Sequence, residues 1–408
     1  MEISLPYGGR LKRFEAKNLA GRFRCHFPQI SSREKLKSLI GERLSPYFEK
    51  FAGKKVLTVV NDAYRRTPND QLLPFVWEFI KNGKIIIACG SHRAPTPTEL
   101  NLIFGQWTKL VRPHLIIHDC YDNASMVDLG KTSAGTPVIL NKVVADADII
   151  LTINSVEPHF FAGYTGGRKS IVPGLAAFET IRANHYHAKD VNAVALNLDT
   201  NPLHQDLMDA IGFLADKSII TLQCVTDRDG EIIDLFAGEL NEAFESACVS
   251  ARKYYAVEVP QKFDIVIANC DAPLDLNLYQ LQKAQDHGGM MVRDGGILIV
   301  TGACPEGTGS DYFIKSAEKY PRPEDVLGAA ESDHSFGMHK LVKTARQLQH
   351  FRIYYVTALD KAILAKVYFE GFGEIEEALS RAFDELGQQA EIAILEDAGY
   401  TVPVVRPE

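Results

Sequence analysis

Lys55-Val56-Leu57-Thr58-Val59-Val60, the helical pattern of Gln71 to Lys81, and then Lys84-Ile85-Ile86-Ile87-Ala88-Cys89 decide the fold. Two short β-branched runs on either side of a helix-length segment make a βαβ unit, which joins parallel strands. Because the runs lack polar alternation, the strands are buried on both faces. The rhythm continues through Glu99 to Phe104 and His114-Leu115-Ile116-Ile117-His118. Val138 to Asn141 and Ala147 to Ile153 read as two more strands. Thr96-Pro97-Thr98-Glu99 offers an N-cap threonine, a proline at the first helical position and a glutamate three residues on. A helix therefore starts there, and His92 sits in the loop ahead of it.

Further along, Ser218 to Leu235 reads as strand, Asp227-Arg228-Asp229-Gly230 turn and strand, followed by a helix from Glu242 to Tyr255. The chain breaks at Val259-Pro260-Gln261-Lys262. A fresh α/β series begins at Phe263-Asp264-Ile265-Val266-Ile267-Ala268 and includes Gly296-Ile297-Leu298-Ile299-Val300 and an amphipathic helix around Ile375, Leu379, Phe383 and Leu386. With 408 residues the chain exceeds what one core accommodates. The expectation is an α/β protein of two domains, 1–259 and 260–408, with largely parallel sheets flanked by helices.

A net charge of -8 offers no basic field for nucleic acid or anionic lipid, so a small-molecule partner is expected. Met1-Glu2-Ile3-Ser4 does not open a signal peptide, and no run of about 18 apolar residues occurs, which points to the cytoplasm and away from membranes. Seven cysteines at wide intervals, without a CxxC pair, read as buried thiols rather than zinc ligands or a disulfide framework.

In open α/β sheets ligands bind beyond the carboxyl ends of the strands. The loops expected there are Asn61-Asp62-Ala63-Tyr64-Arg65-Arg66-Thr67-Pro68, Gly90-Ser91-His92-Arg93, the stretch from Glu157 to Ser170, and Asn184-His185. Gly163 to Ser170 is one residue from a phosphate-binding P-loop, since Lys169-Ser170 are in place but Arg168 stands where the second glycine belongs. An arginine side chain there has to point elsewhere, which disfavours ATP hydrolysis and leaves phosphate binding and a solvated turn both open. No G-x-G-x-x-G follows a strand, so ordinary NAD binding loses ground. Lys169 and His185 lie sixteen residues apart, roughly 24 Å along an unbroken helix, and meet only if the chain folds back. Pro173-Gly174 supplies the break, with a short helix from Leu175 to Ala183 after it. In the second half, Tyr279-Gln280-Leu281-Gln282-Lys283 places an amide and a cation on one helical face, an arrangement suited to a carboxylate.

Taken together, Asp62-x-x-Arg65 with Thr67-Pro68, Gly90-x-His92-Arg93 with Thr96 and Glu99, Glu157 to Ser170, Asn184-His185 and Tyr279-Gln280-x-x-Lys283 resemble the lactate racemase family that uses a nickel-pincer nucleotide. The resemblance implies that Lys169 is joined covalently to the cofactor, pyridinium-3,5-bisthiocarboxylic acid mononucleotide nickel, and that His185 is the protein's ligand to the nickel. It implies that His92 and His159 are alternating general bases, and that Arg65, Tyr279, Gln280 and Lys283 bind substrate. Asp62, Thr165, Gly166 and Gly167 would contact the cofactor, the last three at its phosphate. The first domain would then carry cofactor and catalysis, the second would contribute substrate-binding residues, and the active site would lie in the interdomain cleft. Such an enzyme is a racemase or epimerase of 2-hydroxy acids, and other proteins in the cell have to make its cofactor. The family's lactate enzyme carries a second-domain tryptophan near the substrate. Here the tryptophans are Trp77 and Trp107, and Ser335-Phe336-Gly337-Met338-His339-Lys340 occupies the corresponding region, so a larger or more polar 2-hydroxy acid enters the field. Two other readings stay open: a non-catalytic nucleotide-binding member, and a phosphate-dependent transferase using the Gly163 to Ser170 loop.

Overall fold

The computed structural model describes residues 1–408 apart from 29–32, 66, 310, 336 and 407–408, so Arg66 and Phe336 lie outside the described residues. The chain forms two compact units, Phe27–Tyr254 and Met1–His26 with Tyr255–Glu408.

The Phe27–Tyr254 unit is built on a six-stranded sheet in the order Ile232–Glu239, Ser218–Thr226, Ile149–Ser155, Val56–Asn61, Lys84–Ala88, Leu115–Ile117. Every neighbouring pair is parallel except the Ser218–Thr226 and Ile232–Glu239 hairpin. Ile149–Ser155 is buried at all seven positions, as a two-sided strand must be. Helix Asn69–Ile80 turns Leu72, Leu73, Val76 and Ile80 inward at helical spacing onto Val60, Ile85 and Ile87. Each such side chain contributes about 1.5–3 kcal/mol by leaving water. Thr96 and Glu99 form the reciprocal capping box that starts helix Pro97–Phe104.

Val138 to Asn141 is a strand as expected, and Pro137–Asn141 pairs with Met126–Lys131 in a separate antiparallel ribbon. One local expectation is corrected. The helix expected at Leu175 to Ala183 begins only at Phe178 and runs to Tyr186. The reason is non-local: the Leu175 carbonyl accepts from Asn141 N at 2.8 Å and Ala177 N donates to the Ile139 carbonyl at 2.9 Å, which ties these residues to the ribbon. His185 consequently falls in the helix's last turn.

The other unit carries an all-parallel sheet in the order Glu370–Phe372, Arg352–Val356, Val292–Thr301, Phe263–Asn269, Ile392–Leu395, Leu19–Phe23. Residues 1–26, expected with the first domain, belong here: Leu19–Phe23 is the edge strand, and Ile3, Leu5 and Phe14 of the opening hairpin pack with Ile375, Leu379 and Ile392. A two-strand parallel pair, Ala256–Val259 with Val402–Val405, places the start of the unit's second segment beside its end. All seven cysteines are buried and unbridged. Among the described residues no helix is long and apolar enough to cross a membrane.

Candidate active site

Strand order in the Phe27–Tyr254 sheet reverses between Val56–Asn61 and Ile149–Ser155, and loops leaving such a switch point open onto one crevice. Asp62, Arg65, His92, Glu157, His159 and Lys169 all stand on loops leaving these strands or Lys84–Ala88. A polar network stitches the strand ends together beneath them. The Thr67 hydroxyl meets Asn61 Oδ1 at 2.9 Å and Ser155 Oγ at 3.1 Å, and Ser170 Oγ accepts from Asn154 Nδ2 at 2.6 Å and from Asn61 Nδ2 at 3.4 Å. Lys169 therefore precedes a residue anchored to two strands.

Asp62 is buried, and its carboxylate serves two partners: Oδ1 accepts from Tyr64 N at 3.1 Å, and Oδ2 stands 2.6 Å from His92 Nδ1. The Tyr64 ring lies 4.5 Å from the His92 ring, tilted 46° to it. Arg65 N closes the turn on the Asp62 carbonyl at 3.2 Å, and Arg65 NH1 donates to Glu157 Oε1 at 3.1 Å.

In the stretch from Glu157 to Ser170, Pro158–His159 pairs antiparallel with Gly163–Tyr164. Gly163, Gly166 and Gly167 adopt φ of 75°, 78° and 49°, where a side chain is strained. A Cβ at Gly163 would sit 2.3 Å from the Asn197 carbonyl, and one at Gly166 2.7 Å from Gln223 Oε1. Gly167 N donates to that same Gln223 oxygen at 3.2 Å. Thr165 is buried, with its hydroxyl 3.1 Å from the Ser155 carbonyl and 3.3 Å from the Glu157 carbonyl. The hydroxyl has one proton and directs it at these carbonyls, which stitches the loop to the end of strand Ile149–Ser155.

Arg168 is fully buried and points behind the loop: Nε donates to His204 Nδ1 at 2.8 Å, NH2 to the Ala162 carbonyl at 2.8 Å, NH1 to the Tyr164 carbonyl at 3.3 Å, and its guanidinium carbon stands 4.3 Å from the Phe244 ring centre. Burial lowers the arginine to about 10 and, with Arg168 beside it, the His204 imidazole to about 3. With Arg168 turned inward, Lys169 is the cation the loop presents.

Lys169 Nζ lies 3.2 Å from His159 Nε2 and 5.1 Å from the Phe161 ring centre. His159 Nδ1 accepts from Ala162 N at 3.3 Å and Phe161 N at 3.4 Å, and its ring stacks on Phe160. His185 sets its ring 5.2 Å from Phe161. Burial, with Lys169 and His92 nearby, depresses the His185 imidazole to about 3 against the opposing pull of the Ile181 carbonyl. It is thus kept neutral, the form that binds a metal. Among the described residues no group of three or more His, Cys, Asp or Glu side chains is placed to hold a metal by itself.

In the other unit, Asn277 caps helix Leu278–Gly289 by accepting from Gln280 N at 3.0 Å, which sets Tyr279, Gln280 and Lys283 in its first turns. Burial raises the Tyr279 phenol above its usual value. Lys340, from the region lacking the tryptophan, is buried with Nζ 2.9 Å from the Tyr279 carbonyl and 4.0 Å from its ring centre. Burial lowers this lysine to about 7, Lys283 and Lys343 add to the effect, and Asp286 opposes it.

Sequence reasoning missed Glu157 as Arg65's partner, Tyr64 beside His92, Gln223 as the loop's acceptor and Lys340 beside Tyr279. The one legible signal was Gln223, an amide inside the buried strand Ser218–Thr226.

Comparison with known proteins places these residues in a known context. Residues 28–195 match the family model described as the lactate racemase N-terminal domain, and residues 259–404 match the lactate racemase C-terminal domain. A lactate racemase of Lactiplantibacillus plantarum is 28% identical over 97% of this chain and 98% of its own length. One from Thermoanaerobacterium thermosaccharolyticum is 29% identical over 80% of each chain. The solved lactate racemase apoprotein from that second organism superposes with a TM-score of 0.90 at 27% identity, covering 100% of both chains. A Thermotoga maritima protein, at 17% identity and a TM-score of 0.71, shares the fold.

Proposed function

The chain belongs to the lactate racemase family, an isomerase family, and on that premise we propose that it inverts C2 of a 2-hydroxy acid by reversible hydride transfer to a nickel-pincer nucleotide held at Lys169. The observation that carries the reading is the meeting of Lys169 and His159 at 3.2 Å, beside a His185 imidazole held neutral, at the sheet's switch point.

The residues fit the cofactor. Lys169 offers an amine for acylation, on a loop that the left-handed Gly166 and Gly167 allow to pack closely against Gln223 and Phe244. His185 offers one neutral imidazole, which suits a nickel ion whose remaining ligands are sulfur and carbon of the nucleotide. When bound, the group supplies an electrophilic carbon that accepts the α-hydrogen with its electron pair. Removing that hydrogen as a proton would leave a poorly stabilised carbanion. Its loss as hydride, with the hydroxyl proton passing to a base, leaves a planar 2-keto acid.

The two histidines are set up for complementary halves of that proton transfer. His92 Nδ1 faces the Asp62 carboxylate at 2.6 Å, so it carries its proton there and Nε2 is left as acceptor. His159 Nδ1 faces two backbone N–H groups and Nε2 faces Lys169 Nζ at 3.2 Å; once Lys169 is acylated and no longer an ammonium, the neutral ring carries its proton on Nε2. One ring takes the hydroxyl proton and the other returns a proton to the carbonyl oxygen when the keto acid has presented its other face, the roles exchanging with the direction of inversion. Arg65 supplies a guanidinium for the carboxylate, and Tyr279, Gln280 and Lys283 are proposed as substrate-binding residues on the family pattern. Lactate is the substrate named for the relatives. The absence of the second-domain tryptophan leaves a larger or more polar 2-hydroxy acid as an alternative substrate here.

Inversion of a 2-deuterated 2-hydroxy acid tests the chemistry. Deuterium is expected to stay at C2 of the inverted product, and wash-out into solvent would show proton abstraction instead.

A further inference from the structure

Arg65 and Glu157 stand on different strand-end loops, yet their side chains meet at the centre of a continuous line of contacts. On one side, Arg65 N bonds the Asp62 carbonyl at 3.2 Å, and Asp62 holds His92 at 2.6 Å. On the other, Glu157 is joined through Pro158 to His159. The Glu157 backbone is locked at both polar groups: its N donates to Thr165 Oγ1 at 3.0 Å, and its carbonyl accepts from Thr165 N at 2.8 Å. Its carboxylate therefore emerges from a rigid platform.

We infer that Glu157 is a positioning residue that occupies NH1 of Arg65, dictating which edge of the guanidinium meets the substrate carboxylate and moderating the grip. This rests on the functional reading above. A guanidinium offers five N–H groups on a planar fork. Glu157 takes one hydrogen of NH1 at 3.1 Å, which leaves the side-on edge of Nε and NH2 as the pair of donors it does not share. The neighbouring negative charge also weakens the arginine's hold on any anion and repels a second carboxylate from this end of the substrate. Both effects suit inversion. After the hydride and the hydroxyl proton have left, the planar 2-keto acid has to present its other face, so a carboxylate held too tightly, or on the wrong edge, would stall there. Glu157 thus trades binding strength for turnover and sets both histidines' loops against one clamp.

The test compares wild type, Glu157→Gln and Glu157→Asp as full-length protein. Arg65 reactivity toward phenylglyoxal is read by peptide mass, with and without lactate as protecting carboxylate. In Glu157→Gln, Arg65 is expected to react about threefold faster, the size set by a partly exposed ion pair, and lactate should protect it at lower concentration. Glu157→Asp, which keeps the charge, should fall between. In cofactor-loaded protein KM and kcat should both fall for Glu157→Gln, a split that a general loss of structure does not produce. Unchanged Arg65 reactivity in an enzyme that still racemises would overturn the role of Glu157 alone. No protection of Arg65 by lactate or other 2-hydroxy acids in any variant, together with no adduct on Lys169, would overturn the functional reading beneath it.

Discussion

The Asp62 carboxylate meets Nδ1 of His92 at 2.6 Å, while the Tyr64 amide takes its other oxygen at 3.1 Å. This fixes the ring's orientation and leaves Nε2 as the basic nitrogen. Asp62→Asn keeps the shape and loses the acceptor charge. Turnover should fall by about 100-fold or more, the scale of general acid–base contributions. Because the equilibrium constant of a racemisation is one, kcat/KM has to fall equally for both enantiomers. Turnover within a few-fold of wild type, measured by chiral chromatography, would contradict the role of Asp62.

Arg168 is a buried cation whose partners are two carbonyls, a histidine nitrogen and a ring. Arg168→Met strands the Ala162 and Tyr164 carbonyls and His204 Nδ1. The cost should be about 2–3 kcal/mol, since each lost acceptor bond costs about 1 kcal/mol or more and relief of the buried charge offsets part of it. Arg168→Lys should recover some of that. Denaturant midpoints check the order wild type, Lys, Met.

Gly163→Ala should be worse than its size implies. With φ of 75° and a Cβ destined 2.3 Å from a backbone carbonyl, the loop has to shift or the substitution fails. A loss of about 2 kcal/mol or more is expected, combining backbone strain and clash. An alanine variant as stable as wild type would mean that the Pro158–His159 and Gly163–Tyr164 ribbon yields easily.

The parallel sheets were legible in the β-branched runs because a two-sided strand leaves no other pattern. His92's loop was legible because Thr96 and Glu99 announce the helix after it. Leu19–Phe23 was not, since an edge strand is half exposed and its partner, Ile392–Leu395, lies some 370 residues away. Glu157 escaped for a related reason: a single acidic residue shows no partner until two strand ends are brought together. The residues of the Phe27–Tyr254 site were legible chiefly through the family pattern, because composition and spacing alone left the glycine-rich loop undecided.

Stability should fall in mild acid. Burial lowers His287 to about 4 and His204 to about 3 from 6.5, so below 6.5 the unfolded chain binds more protons than the folded one. Stability is therefore complete above about pH 7 and declines as pH falls from 6.5 toward 4, by at most about 1.4 kcal/mol per pH unit for each group. His287 Nδ1 donates to the Ala398 carbonyl at 2.7 Å, and His287→Asn retains a donor there without titrating. The variant's stability curve should be flatter between pH 6.5 and 4. An unchanged slope would remove His287 from the account.

The proposed function depends first on Lys169 carrying the cofactor. Intact mass of protein made in cells that synthesise the nickel-pincer nucleotide, wild type beside Lys169→Ala, tests it directly. A nucleotide-sized increment is expected on wild type and absent from the variant. Wild-type protein of bare polypeptide mass, or an increment that survives in Lys169→Ala, would contradict it.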